Sequence, residues 1–193
     1  MLLIAGVIIH LLQSHDVWLM LVLAMSTVFI VLKKRKSASL NIYFLGFLIS
    51  ALGGVLAENW GISNGFWKYH GLPDRREFPY WLPFAWGLAF SFLYSFESFY
   101  IRTLGIKSLR DKLFLTMLAS LVLPVFGEII TVYLGVWTYY GDYKILGVPL
   151  YAMGLLVLFH TSTFLLLVIV NSYWKRPDPV FSARLIKRNS LKS

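Results

Sequence analysis

Two stretches of this chain carry the same four residues at the same spacing. In "ENWGISNGFWKY", Glu58, Gly65, Trp67 and Tyr69 align without a gap on Glu128, Gly135, Trp137 and Tyr139 of "EIITVYLGVWTY". The shared pattern is E-x6-G-x-W-x-Y, and it uses two of only four glutamates in the chain. A glutamic acid held in an apolar pocket stays protonated near neutrality and becomes a general acid. Indole and phenol faces present negative quadrupole, so they stabilise a cation formed beside them. Protonating an alkene needs both parts. Glu58 and Glu128 are therefore the candidate catalytic acids, with Trp60, Trp67, Tyr69, Trp86, Trp137 and Tyr139 as the aromatic wall. Two carboxylates in one apolar site titrate as a unit and retain one proton. The more apolar neighbours, "PVFGEIITVYLGVW", predict Glu128 as the proton donor. The competing reading is an aromatic belt at interface depth with ionised glutamates, but a belt requires depth and not spacing.

The elements that must position these residues are membrane spans. Of 193 residues 58% are hydrophobic and only 14% charged, with a mean hydropathy of +0.69, the profile of a polytopic membrane protein. A span needs about 17 to 20 apolar residues. Runs 17–32, 41–57, 81–101, 113–134 and 148–170 qualify, while Met1 to Leu12 is short and reads as a first helix; it lacks the basic start and small-residue cleavage site of a signal peptide. The expected fold is an all-α polytopic membrane protein of about six transmembrane helices. It contains two parallel helical-hairpin repeats, approximately 41–101 and 113–170, within a transmembrane domain 1–172. Each repeat reads as helix, motif loop, proline, helix, with Pro83 and Gly87 answering Pro149 and Gly154. Both start on an outward helix, so the repeats are expected to share an axis along the membrane normal and to bring Glu58 and Glu128 face to face.

Basic residues set the orientation. Lys33 to Lys36, the 102–112 segment and the tail hold 14 of the 18 lysines and arginines, leaving Lys68, Arg75, Arg76 and Lys144 on the other side. The positive-inside rule then places both termini in the cytoplasm and the motif loops outside. The net charge of +9 is a topology and anionic-headgroup signal, and nucleic acid is not an expected partner. The basic cytoplasmic tail 173–193 reads as a solvated or membrane-surface segment. The expected location is the cytoplasmic membrane of a bacterium or archaeon.

The first copy, with "GFWKY" and the later "PYWLPFAWG", resembles the integral membrane carotenoid biosynthesis proteins that include the bisanhydrobacterioruberin hydratase. The second, "GVWTYYGDYKILGVPLY", is similar to the lycopene cyclase domain. The resemblance covers roughly 53–87 and 125–154 and implies a membrane fold acting on isoprenoid double bonds. It departs where lycopene cyclase domains carry paired acids after the proline, since this chain has Leu150, Tyr151 and Ala152.

The absence of cysteine excludes a disulfide framework, a thiolate metal site and a cysteine nucleophile. Histidines and carboxylates never fall at metal-ligand spacing, so neither metal nor cofactor is expected. His160 lies mid-span, a candidate substrate-binding residue or a partner for a neighbouring helix. Glu97 reads as interfacial, Asp74 with Arg75 and Arg76 as solvated ion pairs, and Asp16 has no assignment. Two other functions fit the same chain: a small-substrate binding subunit of a membrane transporter, whose aromatic cage would take a cation, and a structural membrane protein without a site.

Overall fold

The computed structural model describes residues 2–73 and 76–182. Six α-helices carry the chain: α1 (Leu2–Leu12), α2 (Asp16–Lys34), α3 (Leu40–Ser63), α4 (Leu82–Thr103), α5 (Leu109–Tyr133) and α6 (Leu150–Trp174). Four helical stretches are long and apolar enough to cross a membrane. They are α3, α5, α6 and Leu2–Lys34, the last combining α1 and α2 around a 3-10 turn at Gln13–His15. At 1.5 Å per residue, the 24 residues of α3 reach about 36 Å, more than the roughly 30 Å of a hydrocarbon core. The 22-residue α4 has the length but is diluted by its serines and tyrosines and by Glu97 and Arg102.

The helices of each hairpin pack on one another, α3 on α4 and α5 on α6, and the two hairpins cross-pack through α3 with α6 and α4 with α5. Close approach depends on small residues. A Cβ on Gly54 would collide with the Trp86 indole, and one on Gly87 with the Phe47 ring. Between α3 and α4 this leaves aromatic rings seated directly against backbone. The α1 segment lies along the last turns of α5, where Gly6 admits Ile130.

The fold is not all helix. Four short strands, β1 (Trp67–Tyr69), β2 (Trp137–Tyr139), β3 (Lys144–Ile145) and β4 (Val148–Pro149), form two antiparallel ladders. Strands β1 and β2 are the ends of the two motif copies, and period-2 alternation over three residues is too short to stand out in an apolar sequence.

After α6 the chain is exposed over Lys175, Arg176 and Pro177 and then turns inward from Asp178 to Ser182, against the expected solvated tail. Val180 and Phe181 are fully buried, and Phe181 stacks on Phe90 and packs on Phe164 and Tyr94. Asp178 makes this possible, since its Oδ1 accepts from the amides of Val180 and Phe181 and its Oδ2 from the Tyr94 hydroxyl at 2.7 Å. Lys112 donates to the carbonyls of Pro179 and Ser182. A buried turn must satisfy its backbone groups, and here Asp178 within the turn and the distant Lys112 do so. The tail expectation for 183–193 lies outside the described residues.

Candidate functional site

The two motif copies end their helices identically. After α3, Phe66 N–H donates to Gly61 C=O and Gly65 N–H to Ile62 C=O; after α5, Val136 donates to Thr131 and Gly135 to Val132. This is the Schellman arrangement, and it demands a left-handed residue after the helix. Gly65 and Gly135 fill that place, each at φ 71°. The chain therefore leaves both helices at the same angle and runs into β1 and β2.

The strands meet antiparallel with Trp67 opposite Tyr139, Lys68 opposite Thr138 and Tyr69 opposite Trp137. Flanking bonds obey the same exchange, His70 N–H to Val136 C=O and Tyr140 N–H to Phe66 C=O. Motif-equivalent residues are thus swapped by a local two-fold through the Lys68–Thr138 pair. Alternation turns Trp67, Tyr69, Trp137 and Tyr139 to the buried face and Lys68 and Thr138 outward. Trp67 touches Tyr139 with ring centroids 5.7 Å apart, and Tyr69 touches Trp137 at 5.3 Å.

Each glutamate lies six residues before its C-cap, Asn64 or Leu134, and receives the indole nine residues ahead. Trp67 Nε1–H donates to Glu58 Oε2 at 2.8 Å, and Trp137 Nε1–H to Glu128 Oε2 at 3.2 Å. The surroundings then differ. Trp86 from α4 donates to the other oxygen of Glu58, Oε1, at 3.2 Å, whereas Tyr139 donates its hydroxyl to the same Oε2 of Glu128 at 2.6 Å. Among the described residues no hydrogen-bond donor reaches Glu128 Oε1. Burial, then the charges of Glu58 and Glu128, pushes the Tyr69 phenol well above its usual range, so this one hydroxyl lies within the influence of both carboxylates. Burial and Glu128 do the same for Tyr139, keeping it a donor.

Of the sequence-derived candidates, Glu58, Glu128, Trp67, Tyr69, Trp86, Trp137 and Tyr139 come together. Trp60 does not. Its ring is 52% exposed and leans on Phe66, because two residues after Glu58 is the opposite side of a helix. His160 also lies apart from the motif residues, with Nε2 2.9 Å from Glu97 Oε1. Glu97 is 1% exposed, with this α6 histidine as its partner. By accessible surface Glu58 is buried, and Glu128 is only partly so, because the apolar Val122 and Phe126 of α5 point away from the bundle.

Sequence reasoning missed two supports. Gly61 gives the Trp67 ring its seat, since a Cβ there would overlap the indole; the aligned position of the other copy is Thr131, so identity between copies could not reveal it. Asp16 is buried and accepts from Arg76 Nη1 at 2.6 Å and from the Tyr80 amide. A lone acid between two apolar stretches, with arginines in a later loop, was the available signal. Arg76 also stacks over the Tyr80 ring; the expected solvated ion pairs involve Asp74 and Arg75, which lie outside the described residues. No group of three histidines and carboxylates among the described residues is placed to hold a metal ion.

No protein-family model matches this sequence, and no curated protein or solved structure is significantly similar to it.

Proposed function

We propose that this chain is an integral membrane enzyme that protonates a carbon–carbon double bond of an isoprenoid or carotenoid-like lipid, leading to hydration, cyclisation or isomerisation. The observation that carries the reading is the unequal hydrogen bonding of two neighbouring carboxylates inside one aromatic cluster. Glu58 accepts an indole N–H on each oxygen, an environment suited to the ionised form. Glu128 accepts both of its bonds on Oε2, leaving Oε1 for a proton. Glu128 would give that proton to an alkene carbon, forming a C–H bond and leaving the cation on the adjacent carbon. Trp67, Trp137, Tyr69 and Tyr139 would face the cation. Glu58 would then take a proton, either from the carbon next to the cation or from the water that captures it, and exchange with solvent would restore Glu128. The scheme uses no cofactor.

The same reading takes the two hairpins as parallel repeats, six helices in all, with the motif end outside and both termini in the cytoplasm. The local two-fold at β1 and β2 and the reciprocal packing of α3 with α6 and α4 with α5 support the duplication. The basic loops would meet anionic headgroups.

Lipid extracts of a host with and without the gene, compared by mass spectrometry, test the function. A gain of one water, or a retention change at constant mass, is expected and must vanish in Glu128→Gln. Unchanged lipids in both strains, with binding of a small amine instead, would select the transporter-subunit reading.

A further inference from the structure

The loop between β2 and α6 carries a hairpin that exposes large apolar side chains. Strand β3 pairs with β4, Lys144 opposite Pro149 and Ile145 opposite Val148, so Leu146 and Gly147 make a two-residue turn. Both have positive φ, 50° and 85°, the requirement of the type I′ turn. Asparagine or aspartate before glycine ordinarily fills such a turn, because a leucine in the left-handed region is strained. Tyr143, at φ 56°, is strained in the same way. No buried contact compensates, for Tyr143 is 84% exposed, Leu146 57% and Ile145 53%.

Lys144, the one cation of this tip, is folded back. Its ammonium donates to the Tyr139 carbonyl at 2.6 Å, which draws the charge back from the Leu146–Gly147 turn although the residue itself is exposed. Asp142 stays exposed at the base of the hairpin. The tip does not stand free of the helices. A Cβ on Gly147 would meet the Val132 side chain, so the turn lies against the last turn of α5. There it continues the outward apolar face of that helix, formed by Val122, Phe126 and Tyr133, all exposed. Tyrosine and aliphatic residues at the end of a spanning helix occupy the boundary between headgroups and acyl chains. Strain kept at an exposed position calls for a role outside the fold.

We propose that the Tyr143–Leu146 tip is a membrane-inserting finger, seated in the interfacial layer of the leaflet at the motif end. The occupant is lipid, because the exposed Tyr143, Ile145 and Leu146 continue the exposed apolar side of α5, a helix long and apolar enough to cross a membrane. The finger joins β2, which ends at Tyr139, to the start of α6.

The cysteine-free chain permits single-site labels. With Leu146→Cys and, separately, Lys68→Cys carrying a nitroxide in phosphatidylcholine–phosphatidylglycerol nanodiscs, collision with oxygen and with a water-soluble nickel chelate is compared. The oxygen-to-nickel ratio is expected above one at 146 and below one at 68. A ratio at 146 equal to that at 68 would overturn the proposal, and so would a label at 146 shielded from both reagents, which would mean a protein partner. Leu146→Asn supplies the second arm. It relieves the turn, so thermal stability in detergent should hold or rise, while a label at Ile145→Cys should move toward the aqueous ratio. A fall in detergent stability would make Leu146 a packing residue and refute the finger.

Discussion

The Glu58 and Glu128 copies of the motif share a frame and differ in everything that touches the frame from outside. In both, a glycine at φ 71° ends the helix and an indole nine residues on reaches back to the carboxylate. Around Glu58, α4 supplies Trp86, Gly61 seats Trp67, and the loop that follows is held by Arg76 and Tyr80 on Asp16 of α2. Around Glu128 there is no second indole; Thr131 replaces Gly61, its hydroxyl bonding back to the helix carbonyls of Gly127 and Glu128, and the following loop ends in an exposed apolar hairpin. Equal spacing fixes where an acid sits; in the proposed mechanism, unequal neighbours decide which acid keeps its proton.

The sharpest break of the comparison is removal of either acid. Glu58→Gln and Glu128→Gln should each lower lipid conversion by about 10²-fold or more, the range of a lost acid or base, with expression and membrane insertion intact. Two fully active variants would reduce the motif to an interfacial belt. Next in size is a contrast between the site and the buried pair outside it. Glu97→Leu alone leaves His160 without its partner and should cost about 3–5 kcal/mol in thermal or denaturant unfolding, much of which Glu97→Leu with His160→Leu should recover. If the double variant is no better than the single, the pair is not a coupled unit.

A smaller effect separates the two seats. Gly61→Ala forces the Trp67 ring off Glu58 and should destabilise by about 1–3 kcal/mol, as overpacking does, while Thr131→Ala in the other copy should shift the melting temperature less. Equal shifts would mean that the copies pack alike. Smallest is the aromatic series: Trp137→Phe, which keeps a weaker face toward a cation, should lose less activity than Trp137→Leu. Identical losses would point to the Trp137 N–H bond on Glu128, which both variants remove, rather than to the ring face.

Much of this was legible in the sequence because it depends on short range. Apolar runs mark helices, glycine at a fixed offset marks the Schellman cap, and E-x6-G-x-W-x-Y places an indole where it can return to its own glutamate. Trp86 was legible through the proline and glycine that follow the first motif. What was hidden depends on partners distant in the chain. Asp16 to Arg76, Glu97 to His160, and Lys112 to the Pro179 carbonyl each satisfy a buried group across 60 or more residues, and no local pattern announces such a pairing. Phe181 was misplaced for the same reason, since a basic, proline-containing tail looks solvated until Lys112 and Asp178 are seen to bury it. Trp60 was a false inclusion that helical phase could have removed.

The central claim is that the two acids hold different protonation states at neutral pH. Infrared difference spectra of the purified protein in lipid, comparing each Glu→Gln variant with the parent chain, read this directly through the C=O stretch of a protonated carboxyl. The account predicts that Glu128→Gln removes such a band and Glu58→Gln does not. A band lost in Glu58→Gln instead, or no band lost in either, would contradict it.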